Sequence, residues 1–346
     1  MAVLDELTLK NQLKEKKYFT SYLIWGNEPY LKQHYANLIA KKAVDEGMEG
    51  FNLRRFDAEN GNDIQELIDA TDTLPMFSEH SCTVIKDFPL DEMYSSDKTR
   101  FEKWLAEMPD TTVAVFWQDT EEINPKKQSK WKSVIELFDR HGATVCLDKM
   151  DENSLVRTVT GGLNKRGAQI DRPTAFYLID CVGDDLNLLL NEVEKLADYK
   201  NGGTVTREDI DAVCIKSLEA SIFDLSKALL SKNLARAMAI LNKLLTEKER
   251  PEVIFGALCS NFIDMYRVKA SILGGKDAEY LKDAYNYKNT AFRLRNARRD
   301  AQRLSLGEIK GCLELLEKAD MKLKLRTTDE KIILEKLLTE LFETVG

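Results

Sequence analysis

Hydrophobic residues follow two different patterns along the chain, and the pattern changes near residue 150. Before that point, short runs of β-branched and aromatic residues alternate with segments whose apolar residues recur at helical spacing. The runs predict strands at residues 18–25, 51–56, 82–85, 111–117 and 143–147. Strands that alternate with helices are typical of an α/β sheet domain.

The helices predicted between these strands have recognisable ends. Gly26 ends the first strand, and a helix follows in which Pro29 is tolerated in the first turn. A second helix begins at Ile64 and is expected to end near Pro75, because proline disrupts a helix interior. A third helix is predicted at residues 126–138.

From residue 151 onward, helical spacing replaces the strand signals almost completely. A capped helix starts at Thr206. It follows short helices predicted at residues 155–163, 175–181 and 186–196. Longer amphipathic helices are predicted at residues 222–245, 253–273, 291–303, 306–323 and 332–342. We therefore predict three domains, an α/β domain at residues 1–147, a small helical domain at 148–214 and a larger helical domain at 215–346.

The composition is that of a folded protein, with 43% hydrophobic and 31% charged residues in a chain of 346. The six cysteines stand far apart and the chain has only three histidines, so we expect no disulfide framework, no metal site and no cofactor. No apolar run approaches the roughly 20 residues that cross a bilayer, and the N-terminus lacks signal-peptide features. We expect a cytoplasmic protein without a membrane partner.

Charge is distributed unevenly along the chain. Residues 1–210 contain 26 Lys and Arg against 38 Asp and Glu, a net charge of −12, whereas residues 211–346 contain 24 against 20, a net charge of +4. The acidic first part is poorly suited to gripping DNA alone. The basic second part could meet phosphate or an acidic partner, although an ordinary solvated helix face explains the same charge.

The segment after the first strand is where a phosphate-binding loop would lie, because backbone amides at a helix N-terminus can bind phosphate. The segment here, GNEPYLK, begins with Gly26, Asn27 and Glu28 and lacks the GxxxxGK[ST] pattern. We expect no run of glycines, no lysine at the phosphate-reaching position and no hydroxyl for magnesium, and Glu28 would repel a triphosphate. The sequence therefore predicts a degenerate phosphate loop that binds no nucleotide.

Motifs for other chemistry are absent from the sequence. The acidic residues near the ends of predicted strands, Asp87, Asp119, Glu121 and Glu122, are interpreted as solvated turn residues. Neither the GxSxG motif nor the HExxH motif occurs. Catalysis by paired carboxylates stays open, since spatial pairing is not visible in one sequence. We assign no catalytic residue.

An apolar triplet, Leu74, Met76 and Phe77, stands around Pro75 between polar residues, where loops are usually polar. Such side chains at a helix end can enter a pocket on a partner, with methionine adapting its shape and phenylalanine supplying buried area. The alternative is that Leu74 and Phe77 fold inward and cap the protein's own core.

A second candidate for binding is the segment FRLRNARRDAQR. In this segment Arg295, Arg299 and Arg303 follow a spacing of four residues and form a basic helix face. This face could contact DNA phosphates or an acidic partner. A solvated face that pairs with local acids is the more common arrangement.

Several segments, in this order along nearly the whole chain, resemble the delta subunit family of the bacterial DNA polymerase III clamp loader. They are YLIWGNEPYLK, TLPMF before an apolar strand, GDDLNLLLNEVEKLADY, SIFDLSKALLSKNLARAMAILNKLL and LSLGEIKGCLELLEKADMKLKL. No single segment is a strict motif, so the resemblance depends on their combination.

The resemblance implies an AAA+-like (RecA-like) N-terminal domain, a small helical lid and a C-terminal helical collar that joins subunits. It implies a noncatalytic subunit, and no intrinsic ATPase activity is expected. In this family a degenerate phosphate loop is expected, and Asn187 stands where an active AAA+ lid would offer an arginine. By position, Leu74, Met76 and Phe77 correspond to the family's clamp-binding side chains.

The resemblance also implies partners: the sliding clamp (beta), the tau/gamma and delta prime subunits in a heteropentamer, and primed DNA reached through the complex. The subunit would bind one clamp protomer and favour the open ring for loading onto DNA. Two alternatives stay open, an active AAA+ ATPase related to helicase loaders and a helical adaptor of another replication or repair complex. Nucleotide binding by the isolated chain would favour the first alternative.

Overall fold

The computed structural model describes residues 4–57, 63–72, 74–276, 279–285, 287, 291–325 and 329–345. The chain forms two compact units that meet in sequence between Lys149 and Met150. The first unit mixes strands and helices, and the second is mainly helical. The predicted fold class, an α/β part followed by a helical part, is confirmed.

The first unit alternates strands with helices, as the hydrophobic pattern predicts. Its strands are β1 (Ser21–Trp25), β2 (Leu53–Asp57), β3 (Ser81–Lys86), β4 (Thr112–Trp117) and β5 (Ala143–Cys146). Its helices are α1 (Glu6–Lys14), α2 (Pro29–Ala43), α3 (Glu49–Asn52), α4 (Ile64–Thr71), α5 (Ser95–Glu107) and α6 (Ser129–His141).

Within the described residues, the five strands of this unit form one parallel sheet in the order β2-β3-β4-β1-β5. Tyr22 of β1 is aligned with Val115 of β4 on one side and with Ala143 of β5 on the other. Every residue of β4 is buried, as expected for a central strand of a parallel sheet whose two faces are covered. The carboxyl ends of β1, β3 and β4 therefore meet at one edge, where the loops considered below begin.

Aromatic side chains fill one layer of the core of this unit. The ring of Phe116 in β4 meets Phe101 of α5 and Phe138 of α6 edge to face, with centroid separations of 5.6 and 5.2 Å. All three side chains are fully buried. This packing fixes the two helices against the middle of the sheet.

The second unit begins with short elements: α7 (Glu152–Lys165), β6 (Ala168–Ile170), α8 (Arg172–Val182), α9 (Leu186–Lys200), β7 (Gly203–Val205) and α10 (Arg207–Val213). It continues with α11 (Leu218–Leu230), α12 (Leu234–Thr246), α13 (Pro251–Leu273), α14 (Glu279–Ala284), α15 (Ala291–Ala301), α16 (Leu306–Leu325) and α17 (Glu330–Thr344). The long helix α13 packs against α11, α15 and α16, and its Phe262 and Met265 are fully buried in that core. No helix among the described residues combines the length and the apolar character that crossing a membrane requires.

The structure differs from the sequence prediction at several places, and among these α1, α3, α5 and α14 are helices where none is predicted. The helix predicted at residues 222–245 is two helices, because Lys232 takes a left-handed φ of 57° and Asn233 caps a new helix by accepting from the Arg236 amide. Helix α4 ends at Thr71, before the predicted end near Pro75. Strands β6 and β7 pair in parallel where no strand is predicted. The further division of the second unit at residue 214 stays a prediction.

Candidate functional site

Three large apolar side chains are displayed to solvent after α4. Leu74 is 75% exposed, Met76 is 49% exposed and Phe77 is 84% exposed. The alternative in which they fold into the protein's own core is therefore not the arrangement observed. We call residues 74–78 the apolar loop.

A buried asparagine fixes the backbone of the apolar loop. Asn52, at the end of α3, is only 2% exposed. Its side-chain amide donates to the Met76 carbonyl at 2.8 Å, and its Oδ1 accepts from the Met76 amide at 2.7 Å. The same amide group also donates to the Met48 carbonyl at 3.2 Å. The backbone at the centre of the loop is thus bonded to the protein, while its side chains are left outside.

A second anchor lies at the end of the apolar loop. Ser78 Oγ donates to Asp45 Oδ2 at 3.0 Å and accepts from the Asp45 amide at 3.2 Å. Between the anchors, Phe77 has a φ of +57°, a left-handed conformation that is uncommon for a bulky residue and persists where neighbouring contacts fix it. Pro75 adds a fixed φ of its own. The loop is therefore preorganised rather than free.

The loop after β1 differs from the apolar loop because its backbone lies against residues 147–148. Gly26 has a φ of +120°, and a Cβ at this position would lie 2.3 Å from the Leu147 carbonyl oxygen, so only glycine fits. The Asn27 amide donates to Asp148 Oδ1 at 3.1 Å. The Glu28 amide donates to the Leu147 carbonyl at 3.0 Å.

The side chain of Glu28 is also bonded within the protein. It is only 4% exposed and accepts from the Tyr30 amide at 3.3 Å, which caps the N-terminus of α2. Pro29 has no amide hydrogen to offer. The amides of Asn27 and Glu28 and the Glu28 carboxylate are therefore bonded within the protein, and this carboxylate would repel a phosphate placed beside it.

The expectation that no lysine stands at the phosphate-reaching position was wrong. Lys32 follows Gly26 by six residues, which is the spacing of the lysine in GxxxxGK[ST]. The structure shows that this lysine is only 2% exposed, and its Nζ donates to the Gln118 carbonyl at 2.6 Å and reaches the Asp119 carbonyl at 3.4 Å. The amine is thus bonded to the end of β4.

The surroundings of Lys32 shift its pKa. Burial lowers the pKa of Lys32 below its usual value, and the nearby carboxylates of Asp119 and Asp87 oppose this shift. The direction agrees with an amine that has lost most of its contact with water. A lysine that reaches for a solvated phosphate would be accessible to solvent instead.

Four acidic residues follow β3 and β4: Asp87, Asp119, Glu121 and Glu122. Asp87 Oδ1 accepts from the backbone amides of Asp119 and Thr120, at 2.6 and 3.2 Å. Glu121 Oε1 accepts from the indole nitrogen of Trp131 at 2.8 Å. Asp87 and Glu121 therefore stabilise turns, and in the described part of the chain no three His, Cys, Asp or Glu residues are grouped to bind a metal ion.

The arginines predicted as a contact face bond to the protein itself. Arg295 forms ion pairs with Glu152 at 2.5 Å and Asp180 at 2.6 Å. Arg299 Nε pairs with Asp300 Oδ1 at 3.0 Å, and Arg303 Nη1 lies 3.4 Å from a serine hydroxyl. A contact of these arginines with DNA or a partner stays a prediction.

These features define a class of protein in which a parallel α/β unit is followed in sequence by a mainly helical unit. In the α/β unit, the loop after β1 is bonded internally and the apolar loop exposes its side chains. Residues 22–145 match the sequence model of the DNA polymerase III delta subunit, and residues 219–341 match that of its C-terminal domain. The chain belongs to the family of DNA polymerase III delta subunits.

Individual relatives agree with this assignment along most of the chain. The DNA polymerase III subunit delta of Bacillus subtilis is 22% identical over 338 residues, which cover 96% of this chain and 95% of that protein. The probable delta subunit of Aquifex aeolicus is 22% identical over 227 residues, 63% of each chain. The solved structure of the Bacillus subtilis DNA clamp loader delta protein has the same fold, with a TM-score of 0.67 at 21% identity over 97% of this chain and 99% of that one.

Proposed function

We propose that this protein is a noncatalytic clamp loader subunit that binds a ring-shaped sliding clamp through the apolar loop and favours the open ring. The observation that carries the proposal is the display of Leu74, Met76 and Phe77 on a backbone anchored by Asn52. The family and the fold support the role in DNA replication.

The physical basis is the free energy of burying the three side chains in a partner. Full burial of a leucine, methionine or phenylalanine side chain contributes about 1.5–3 kcal/mol. Because the anchored backbone already has a defined conformation, little loop-ordering entropy opposes binding. A short loop of this kind can therefore supply the central contact of an interface whose surroundings contribute little.

Opening a ring requires no chemistry by this subunit. A ligand shifts an equilibrium only by its difference in affinity for the two states, so the subunit must bind the clamp protomer more tightly in its open-ring geometry. We infer that ATP bound by neighbouring subunits controls the exposure of the loop. The tau/gamma and delta prime subunits, the sliding clamp (beta) and primed DNA are the proposed partners, with the helices after Leu218 in the collar.

The alternative of an active ATPase is disfavoured by the loop after β1. The amides of Asn27 and Glu28 bond to the segment at residues 147–148, and Lys32 bonds to backbone carbonyls. Nucleotide binding there would require several of these bonds to break at once. The isolated chain is therefore expected to bind no magnesium–ATP at this loop.

The experiment is calorimetry of the purified chain with its host's sliding clamp, without nucleotide. The variant carries Leu74→Ala, Met76→Ala and Phe77→Ala. Since three buried contacts are lost, we expect binding at least about 100-fold weaker with unchanged thermal unfolding. Tyr94→Ala is the matched control, because Tyr94 is 81% exposed in the same unit but lies outside the apolar loop.

Ring opening is measured separately, with a pair of fluorophores placed across one clamp interface. The chain is expected to reduce energy transfer between them, and the triple variant is expected not to. Absence of clamp binding by the unmodified chain would overturn the proposal and favour an adaptor of another complex. Binding without a change in energy transfer would retain the contact and reject the opening.

A further inference from the structure

The second unit contains a cavity of about 380 Å³ between α8, α11 and α15, with residues of α10 and the segment before α11 on its wall. Its ionisable lining is mainly basic. The acidic residues are Asp180 and Asp224. The basic residues are Arg207, Lys216, Lys227, Arg295 and Arg299. We call it the basic cavity.

Both acidic residues of the basic cavity already have a cationic partner. Asp180 pairs with Arg295 at 2.6 Å, and Asp224 pairs with Lys216 at 3.2 Å. The acids are thus neutralised within the wall itself. Of the remaining cations, Arg207 and Lys227 form no ion pair in the described part of the chain, whereas Arg299 pairs with the buried Asp300 at 3.0 Å.

Two of these remaining cations are held by aromatic rings. The Arg207 guanidinium lies over the Tyr177 ring at 5.2 Å, and the Arg299 guanidinium lies over the Phe223 ring at 5.4 Å. Stacking orients a guanidinium without using its N–H groups as hydrogen-bond donors. Only the Arg299 edge that faces Asp300 is bonded. Donors on both arginines thus stay available in a fixed orientation.

The third remaining cation, Lys227, projects from α11 and is exposed. In the described part of the chain, neither Lys227 nor Arg207 forms an ion pair with a carboxylate. The lysines on exposed helix faces of this protein commonly pair with an acid four residues away, as Lys243 does with Glu247. Two cations without an acidic partner, Arg207 and Lys227, lie with the Arg299–Asp300 pair around one concave surface, and this arrangement selects an anion.

We propose that the basic cavity binds a phosphate group, supplied either by a free nucleotide or pyrophosphate or by a nucleic-acid strand. Guanidinium groups with fixed planes match the tetrahedral oxygens of phosphate, and a lysine adds a mobile point charge. The site is separate from the loop after β1 and makes no use of the apolar loop. It requires neither the clamp nor the proposed function.

The test uses the full chain with two probes, pyrophosphate and a single-stranded deoxythymidine oligonucleotide, each titrated by calorimetry at two salt concentrations. The variant carries Arg207→Gln and Lys227→Gln, two exposed positions outside ion pairs. We expect at least a tenfold loss of affinity for the probe that binds. For the oligonucleotide, we also expect the slope of log K against log salt to fall by about one for each phosphate contact removed.

The matched control carries Arg236→Gln and Lys310→Gln, which remove the same charges from exposed positions of the second unit outside the cavity. If the oligonucleotide displaces bound pyrophosphate, the site accepts phosphate from either source. Binding of the oligonucleotide alone assigns it to a strand. No binding of either probe, or equal losses in the variant and the control, would overturn the proposal.

A second measurement needs no variant. Lys227 in the unmodified chain is acylated at limiting reagent with and without the probe that binds, and the extent of modification is read by mass spectrometry. The expected result is at least fivefold protection of Lys227 with no protection of Lys310. Unprotected Lys227 at saturating probe would reject the basic cavity as the binding site even if the chain binds phosphate elsewhere.

Discussion

Two loops of the first unit contain a residue with a left-handed backbone and treat it differently. In the loop after β1 this residue is Gly26, with a φ of +120°, and in the apolar loop it is Phe77, with a φ of +57°. A Cβ on Gly26 would collide with the Leu147 carbonyl, whereas the Phe77 side chain extends into solvent and is 84% exposed. The fold requires glycine at position 26. Position 77 keeps a large side chain although glycine would adopt its backbone conformation with less strain.

The difference shows what each loop presents to a ligand. In the loop after β1 the amides of Asn27 and Glu28 are bonded to the protein, and in the apolar loop the amide and the carbonyl of Met76 are. The loop after β1 also buries Glu28 and Lys32, so neither charged side chain is accessible to a nucleotide. The apolar loop instead keeps three side chains free. Internal hydrogen bonds make the amides of the first loop unavailable to a ligand. In the second loop they fix the backbone before a partner binds.

The largest expected effect on stability comes from Gly26→Ala. The added Cβ would lie 2.3 Å from backbone in a left-handed conformation, so strand β5 or the loop must shift. We expect a loss of about 3 kcal/mol or more in the free energy of unfolding, measured in urea.

Gly47→Ala is the matched control for Gly26→Ala. Gly47 also has a positive φ, of +84°, but a Cβ there meets no atom within 4 Å. It should cost only about 1 kcal/mol, the penalty of the conformation alone. Equal losses in the two variants would show that the contact with Leu147 is not what restricts Gly26.

The next effect concerns the anchor of the apolar loop. Asn52→Ala removes three hydrogen bonds and leaves the Met76 amide without its partner, so we expect a loss of about 1–3 kcal/mol in stability. Clamp binding should also weaken, because the loop must then be ordered on binding. Calorimetry and urea unfolding measure the two effects.

Ser78→Ala provides the comparison for Asn52. It removes hydrogen bonds to Asp45 that are exposed to solvent, so its effect on stability should be about 0.5 kcal/mol or less. If Asn52→Ala changed stability and clamp affinity no more than Ser78→Ala does, the role of the buried asparagine as the anchor would be rejected.

A smaller effect, of opposite sign, is expected for Phe77→Gly compared with Phe77→Ala. Both remove the proposed clamp contact and should weaken clamp binding equally. Glycine accepts the φ of +57°, so the glycine variant should be more stable than the alanine variant by up to about 1 kcal/mol. A less stable glycine variant in urea unfolding would contradict the view that Phe77 is retained at a cost.

The smallest effect is a pH dependence carried by Lys32. Its pKa is lowered in the folded protein, so between that pKa and the usual value of 10.5 the unfolded chain binds more protons. The penalty of burying the charge is therefore present at neutral pH and is relieved as the pH rises toward 10.5. The Lys32→Met variant has no amine at this position, so its stability lacks this increase with pH.

The measurement is urea unfolding at several pH values between 8 and 10.5 for both proteins. The stability of the original chain relative to Lys32→Met should increase with pH across this range. Lys310→Met, at an exposed position, is the control and should show no such trend. A constant difference between the original chain and Lys32→Met would mean that Lys32 is not desolvated in solution.

Periodicity predicted much of the architecture, although α1 and α5, which bury Leu13 and Phe101, were not predicted. The strand ending at Gly26, the buried strand at residues 112–117 and the change to helices after residue 150 all follow from apolar spacing. The same spacing concealed the break between α11 and α12, because apolar residues continue in phase across Lys232. The cap at Asn233 was the available signal, since an asparagine followed by a helix period is a start signal.

The candidate sites were predicted less completely, because their geometry depends on contacts distant in sequence. The apolar triplet was identified from its composition, but nothing near it in sequence indicates that Asn52 anchors Met76, 24 residues away. Arg295 was assigned to a solvated or binding face, whereas its partners Glu152 and Asp180 lie 143 and 115 residues earlier. Such pairings appear only when the chain is folded.

The internal bonding of Lys32 would make a nucleotide site difficult to introduce at the loop after β1. Two substitutions, Leu31→Gly and Gln33→Ser, would complete the GxxxxGK[ST] spelling that begins at Gly26. They would leave the lysine amine bonded to the end of β4, the loop amides bonded to residues 147–148, and the Glu28 carboxylate capping α2. Completing the motif would therefore not create ATP binding, because the lysine amine, the loop amides and the carboxylate would stay bonded within the protein.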